Sequence, residues 1–154
     1  MSKSKIKKEI AVIGQGFVGI PMSILIADKI KCLVHGIDKN NDRGKKLKKV
    51  FDNNLLPFKS NDKKLIQKFK RVKKKENYKI SLNLEPISNC NVIIISVSFD
   101  FNSKNSINNI KKLFLNIANK IRKKTLIILE TTLPPGVSQK IIVPVIEKTL
   151  KKRK

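Results

Sequence analysis

The 154-residue chain is long enough for one domain with a buried core, and its 35 Lys and Arg against 11 Asp and Glu give a formal charge of +24 and a pI near 10.3. No apolar run reaches the roughly 18 residues that a membrane span needs, and two cysteines make no disulfide framework. These features argue against a membrane protein or a disulfide-stapled secreted fold, and a soluble cytoplasmic domain is expected.

Residues 1–8 form a basic extension, and the stretch that organises the chain follows at once. Glu9 to Gly19, EIAVIGQGFVG, sets four apolar residues, Ile10 to Ile13, directly before Gly14, Gly16 and Gly19. That apolar run after MSKSKIKK superficially resembles a signal peptide, but the glycines, Gln15 and Pro21 interrupt it. The G-x-G-x-x-G spacing is the one expected between a buried strand and a helix. The first glycine permits a tight turn, the second lets a pyrophosphate approach bare backbone, and the third lets helix and strand pack closely. Unpaired N–H groups at the helix start and the positive end of its macrodipole attract phosphates, the dipole contributing roughly 0.3–1 kcal/mol. The same spacing occurs in ordinary loops, so context decides.

Phe17 to Ile30 reads as a helix whose Val18, Met22, Leu25, Ile26 and Ile30 recur at helical spacing, with Pro21 near the first turn. Cys32 to Asp38, CLVHGID, reads as the second strand and ends on an acidic residue about 20 positions beyond the glycines. There Asp38 can accept hydrogen bonds from both adenosine ribose hydroxyls and repel a 2′-phosphate, which favours NAD over NADP. Lys39 and Arg43 soften that preference, and a solvated turn residue is the plainer alternative for Asp38. His35 lies inside this strand and is expected to be packed or hydrogen-bonded. Cys32 and Cys90 each precede a strand, whereas ligands gather at the carboxyl ends of such sheets, so both read as small buried or rim residues.

Asp42 to Phe51 predicts a basic helix with Leu47, Val50 and Phe51 inward, and Asp52 to Ser60 a polar break. Lys63 to Lys73 predicts another, with Leu65, Ile66, Phe69 and Val72 inward and the lysines in water. Tyr78 to Leu82 can form a third strand and Glu85 to Asn89 a turn or short helical segment. Val92 to Val97, VIIISV, has almost no polar alternation, as a strand buried on both faces requires. Ile107 to Ile121 follows as a helix, with Ile107, Ile110, Phe114, Ile117, Ala118 and Ile121 inward. Thr125 to Leu129 supplies a fifth strand. Ser138 to about Leu150 predicts a last helix that Pro144 bends or delays. The alternation makes the fold α/β, a doubly wound parallel sheet. Residues 9–150 form that domain, and 151–154 a basic tail.

Lysines are dispersed over Lys45 to Lys49, Lys63 to Lys75 and Lys148 to Lys154, on polar faces and linkers. There is no Trp and one Tyr, Tyr78, so the stacking platform of a nucleic-acid binder is missing and no specific nucleic-acid partner is expected. Heavy use of Lys, Asn and Ile fits a compositional bias.

Between strand five and the last helix stands ETTLPPGVS, Glu130 to Ser138, which puts Thr131 and Thr132 at a carboxyl strand end before a Pro-Pro-Gly turn. From spacing alone the threonines suit a ligand or a backbone cap equally. Together with EIAVIGQGFVGIPMS, the HGID strand end and IIISV, the segment LIILETTLPPGVSQKIIVPVIEK resembles the NAD-binding amino-terminal domain of the UDP-glucose/GDP-mannose dehydrogenases, over about Ile6 to Leu150. The resemblance implies a Rossmann-like sheet lacking its last strand or strands, with NAD as cofactor. It places Gly14, Gly16, Phe17, Val18 and Gly19 along the pyrophosphate and nicotinamide, Asp38 and Arg43 by the adenosine, and Thr132 beside the nicotinamide and catalytic water. It implies oxidation of a UDP- or GDP-sugar alcohol to the uronate, yet the family's cysteine, lysine and asparagine lie beyond this stretch, so no catalytic residue and no metal ligand is assigned here. A phosphogluconate- or hydroxyacid-type dehydrogenase would share the glycines, but ETTLPPG tells against it. After IIISV the family usually continues Pro-Thr-Pro, where this chain has Ser98, Phe99 and Asp100, and Phe99 cannot donate the threonine's hydrogen bond. The expected role is a cofactor-binding half, truncated or split, that meets a nucleotide sugar only when a catalytic domain is supplied. A second copy or a complementing catalytic chain is the protein partner to look for. A stand-alone NAD-binding or partner-binding module is the alternative, and a basic nucleic-acid binder the more remote one.

Overall fold

Short β-branched runs flanked by helix-forming segments give β1 (Glu9–Ile13), β2 (Leu33–Ile37), β3 (Tyr78–Ser81), β4 (Val92–Ile95) and β5 (Leu126–Leu129), all paired in parallel in the order β3-β2-β1-β4-β5. The computed structural model describes residues 8–101, 103 and 105–153. The basic extension therefore lies outside the described residues except for Lys8, as does Lys154 of the tail. Ile10 sits opposite Val34 on one side and Val92 on the other, so β1 is the central strand and is buried on both faces.

The helices are α1 (Gly19–Lys29), α2 (Asp42–Asp52), α3 (Lys63–Lys75), α4 (Ser106–Lys120) and α5 (Val143–Lys152). Ile10, Val12, Val34 and Ile94 point to one face and pack with Ile20 and Ile24 of α1, Phe51 of α2 and Phe69 of α3. Ala11, Ile13, Ile93 and Ile95 point to the other, against Ile110, Phe114 and Ile117 of α4 and the α5 side. The chain changes faces between β3 and β4, through a 3-10 turn at Glu85–Asn89. This is the expected doubly wound sheet, and its reversal point lies between the carboxyl ends of β1 and β4. Asn41 and Asp62 cap α2 and α3 by accepting from the N–H groups of Gly44 and Leu65 at 2.9 and 3.0 Å. Arg71 of α3 grips Asp28 of α1 through two hydrogen bonds of 2.9 and 2.8 Å, which hold the carboxyl below its usual range.

Three expectations need correction. The buried stripe of α1 is Gly19, Ile20, Ser23, Ile24 and Ala27, whereas Val18, Leu25 and Ile30 are exposed and only Met22 and Ile26 are partly covered. The helix is apolar nearly all round, so periodicity did not select a face; the close approach required at Gly19 does. The helix also starts later than Phe17, at Gly19. Within the expected tail, Lys151 and Lys152 belong to α5, and the Arg153 guanidinium donates to the carbonyls of Ala118 and Ile121. Those are orphan acceptors at the end of α4, where a cation is favoured. Pro144 delays the last helix as expected: a π-helical turn at Ser138–Ile142 precedes the regular turns, which leaves proline in the first turn, where no N–H is needed.

Gly36 in β2 makes room for the Gln15 side chain. A Cβ there would stand 2.7 Å from Gln15 Cδ and 2.9 Å from Tyr78 Cε2. Gly36→Ala is expected to destabilise the domain by roughly 1–3 kcal/mol through overpacking, read as a lower midpoint in urea; an unchanged midpoint would mean that Gln15 has another place to go.

Candidate functional site

The reversal point of the sheet is built from backbone. Gly14, at φ +95°, donates from its N–H to the Ile37 carbonyl at 2.8 Å, while the Ser96 N–H donates to the Ile13 carbonyl at 2.7 Å. β1, β2 and β4 thus end level with one another. A Cβ on Gly14 would meet the Ser96 carbonyl oxygen at 2.3 Å, and one on Gly19 would meet the Gly14 carbonyl oxygen at 1.8 Å. Both glycines are therefore required by internal packing. Gly16 differs. Its φ is not positive and the nearest atom to an added Cβ is Arg43 Nη2, at 4.0 Å. Nothing inside the fold demands glycine there, so the bare backbone faces outward, where a pyrophosphate can approach it. Helix α1 opens with no side-chain cap and no acidic residue in its first turn, which leaves its positive end to an anion.

Gln15 holds this loop from beneath. Its amide Nε2 donates to the Val12 carbonyl at 2.8 Å and to Ser23 Oγ at 3.3 Å, and its Oε1 accepts from the Tyr78 hydroxyl at 2.5 Å. The side chain is fully buried, so each of these bonds satisfies a group that would otherwise be stranded. Burial pushes the Tyr78 phenol far up, which keeps its proton on the oxygen and the bond to Gln15 intact. Motif spacing did not single out Gln15 or Tyr78. The signal available was Gly36, a glycine inside a predicted strand, which marks a close approach.

Asp38 follows β2 directly and leans over the loop. Its Oδ2 accepts from the Gln15 N–H at 3.0 Å and from Arg43 Nη1 at 2.9 Å, and its Oδ1 accepts from the Lys39 N–H at 2.7 Å. Arg43, on α2, also donates through Nη2 to the Gln15 carbonyl at 3.0 Å. The guanidinium therefore bridges the carboxylate and the glycine loop while remaining largely exposed. Phe17 and Val18 stand out in water beside Gly16, with the Phe17 ring edge-on to Phe58 at 5.7 Å between centroids.

The sequence-expected residues Gly14, Gly16, Phe17, Val18, Gly19, Asp38 and Arg43 thus share one rim. Thr132 lies on the same carboxyl rim, after β5, with β4 between it and the loop, and is exposed. Its neighbour Thr131 is committed to structure, donating to the carbonyls of Ile95 and Val97 at 3.2 and 2.8 Å and so tying the end of β5 to β4. The two alternatives for this pair divide between them: Thr131 caps backbone, and Thr132 is left facing the rim. Phe99 is half-buried and leans on Phe101, ring centroids 6.3 Å apart.

Neither thiol reaches this rim. Cys32 and Cys90 are buried at the opposite, amino ends of the strands, and burial raises both thiols, Cys90 to about 12. His35 pairs with Glu9 at 2.8 Å, so it is hydrogen-bonded as expected.

Residues 8–154 match the sequence model of the UDP-glucose/GDP-mannose dehydrogenase family, NAD binding domain. The chain is 30% identical over 146 residues to the UDP-N-acetyl-D-mannosamine dehydrogenase of Methanocaldococcus jannaschii, covering 92% of this chain and 32% of that protein. It is 27% identical over 142 residues to the UDP-N-acetyl-D-glucosamine 6-dehydrogenase of Pseudomonas aeruginosa, covering 91% and 31%. Among solved structures, the NDP-N-acetyl-D-galactosaminuronic acid dehydrogenase of Methanosarcina mazei Go1 superposes with a TM-score of 0.80 at 20% identity, over 94% of this chain and 32% of that one. The chain spans about a third of the length of the relatives it matches.

Gly16→Val is expected to leave stability within about 0.5 kcal/mol, because the position is open, and to weaken NAD roughly tenfold or more in a fluorescence titration; unchanged affinity would remove the loop from the site. Asp38→Ala is expected to weaken NAD by roughly tenfold or more, the scale of a lost charged hydrogen bond. NADP binding should hold or rise, since Arg43 is released. Equal losses for the two cofactors would contradict a ribose-reading carboxylate.

Proposed function

The chain belongs to the UDP-glucose/GDP-mannose dehydrogenase family, as its NAD-binding domain, and on that premise we propose that it is the cofactor-holding half of a nucleotide-sugar dehydrogenase. The observation that carries the reading is Gly16, which no internal contact requires to be glycine, set beside Asp38 at the point where the sheet reverses. NAD, when bound, supplies the hydride acceptor for oxidation of a sugar alcohol to the uronate. The loop amides around Gly16 and the uncapped start of α1 would hold the diphosphate. Asp38 would take the ribose diol, with Arg43 turning from it toward the cofactor's negative charge. Thr132 would face the nicotinamide end of the rim.

The rest of the reaction would come from outside these 154 residues. Two-step oxidation through a thiohemiacetal needs a thiolate and donors for the developing oxyanion, and both thiols here are buried on the far rim. The nucleotide sugar would therefore be met only with a catalytic domain, joined to this one or on a complementing chain. Strand β5 suits that arrangement: it is the sheet's edge among the described residues, and Leu126 is 57% exposed. A cytoplasmic location goes with such substrates. No helix among the described residues is long and apolar enough to cross a membrane.

The purified chain, mixed with NAD and a panel of UDP- and GDP-sugars, is expected to bind NAD and form no NADH. Steady NADH production by the chain alone would overturn the dependence on a second domain, and failure to bind NAD would overturn the cofactor-holding role.

A further inference from the structure

The amino rim of the sheet, opposite the glycine loop, gathers three described residues whose side chains together could bind a transition metal. Glu9 opens β1, His35 lies in β2, and Cys90 closes the turn that leads into β4. In the sequence they are 26 and 55 positions apart (35 − 9 and 90 − 35), so no ligand spacing could show them. The sheet brings them together. His35 stands opposite Ala11 in the β1–β2 register, which puts it on the α4 face with Glu9, and Cys90 packs in the core of that same face. The Glu9 carboxylate, the His35 ring nitrogen and Cys90 Sγ all lie within 4.8 Å of one another, and Glu9 Oε2 to His35 Nε2 is 2.8 Å.

We propose that Glu9, His35 and Cys90 form a structural site for a zinc-class divalent cation. Two observations support it. The donor set is imidazole, thiolate and carboxylate, which suits zinc and is foreign to calcium or magnesium. The separations already approach a coordination shell, since ligands around tetrahedral zinc stand about 3.3–3.6 Å apart. The sulfur must close on the other two groups by up to about 1.5 Å, Glu9 and His35 must part by about 0.5 Å, and the hydrogen bond from Cys90 Sγ to the Pro86 carbonyl at 3.4 Å must yield.

An ionised Cys90 and Glu9 would bring two negative charges to the ion and a neutral His35 none, which matches a dication. Binding expels the thiol proton and leaves the ring proton on His35 Nδ1, so that Nε2 and the carboxylate share the metal in place of a proton. Glu9 is the outermost ligand, its side chain 29% exposed against 13% for His35, and gives both an approach for the ion and a fourth position for water. The site would pin the amino ends of β1 and β2 to the turn before β4. It lies away from the cofactor rim and calls for no part in the oxidation.

The test is a titration of the reduced 154-residue chain with Co²⁺ as probe and Zn²⁺ as competitor. One equivalent is expected to bind, with thiolate-to-cobalt charge-transfer absorption that Zn²⁺ abolishes and with a rise in thermal midpoint on zinc addition. Cys90→Ser should remove the absorption and Cys32→Ser should keep it. Glu9→Gln and His35→Gln should each weaken binding roughly tenfold or more. These two positions are partly exposed, so they decide the matter if Cys90→Ser does not fold. Absence of the absorption, its survival in folded Cys90→Ser, or parental affinity in both Glu9→Gln and His35→Gln would overturn the site and leave a simple Glu9–His35 hydrogen bond beside a core cysteine.

Discussion

The carbonyl of Gly14 occupies the space where any other residue at position 19 would carry its Cβ, and the rest of the structure depends on that one near-contact. It lets α1 start almost on top of β1. The same turn holds Gly14 against the backbone of Ser96, so β1 and β4 end level and the sheet reverses direction there. The first and third glycines are locked by packing, and the second is half-buried with room for a side chain it does not carry. Gln15, the residue between the first two, is turned inward as a consequence. It enters a space that exists because Gly36 lacks a side chain, and Tyr78 closes it from β3. A loop supported in this way would lose little conformational freedom on taking a ligand, which is the meaning of preorganisation.

Much of this was legible from the residues alone. Strands β1 and β4 announce themselves as unbroken apolar runs because both their faces are covered. α2 and α3 were readable because lysine faces leave only one stripe, with Phe51 of α2 and Leu65, Phe69 and Val72 of α3, able to be buried. The glycines, Asp38 and Arg43 could be placed because turn geometry and strand ends constrain them to one rim. What escaped has identifiable causes. α1 is apolar on most sides, and a pattern without contrast carries no orientation. Arg153 looked like part of a solvated tail because the carbonyls it caps belong to a helix more than 30 residues earlier. The separate fates of Thr131 and Thr132 depend on which of them can reach the end of β4, a question of register that spacing cannot answer.

The two rims of the sheet divide the molecule's polar chemistry. Around the glycine loop at the carboxyl rim the polar groups are mostly backbone, joined by the Asp38 carboxylate and the Arg43 guanidinium. At the amino rim they are side chains drawn partly into the core: Glu9, His35 and Cys90 on one face, and Asn77, which donates to the Ala27 and Cys32 carbonyls, on the other. Much of the positive charge of the described residues lies on the helices instead, where Lys73, Lys74 and Lys75 complete the last turn of α3 at its negative end.

The two outer strands of the sheet are guarded unequally. β3 carries Lys79, exposed in the middle of its four residues, and a charge in that place discourages another chain from pairing there. β5 reads LIIL, with no charge, no proline and no bulge, and none of its residues is fully buried. A domain with such a border behaves well only under cover. Produced by itself, it offers a short adhesive ribbon to its own copies, and the mutual repulsion of lysine-coated molecules would be the main force keeping them from stacking into aggregates, a protection that added salt removes.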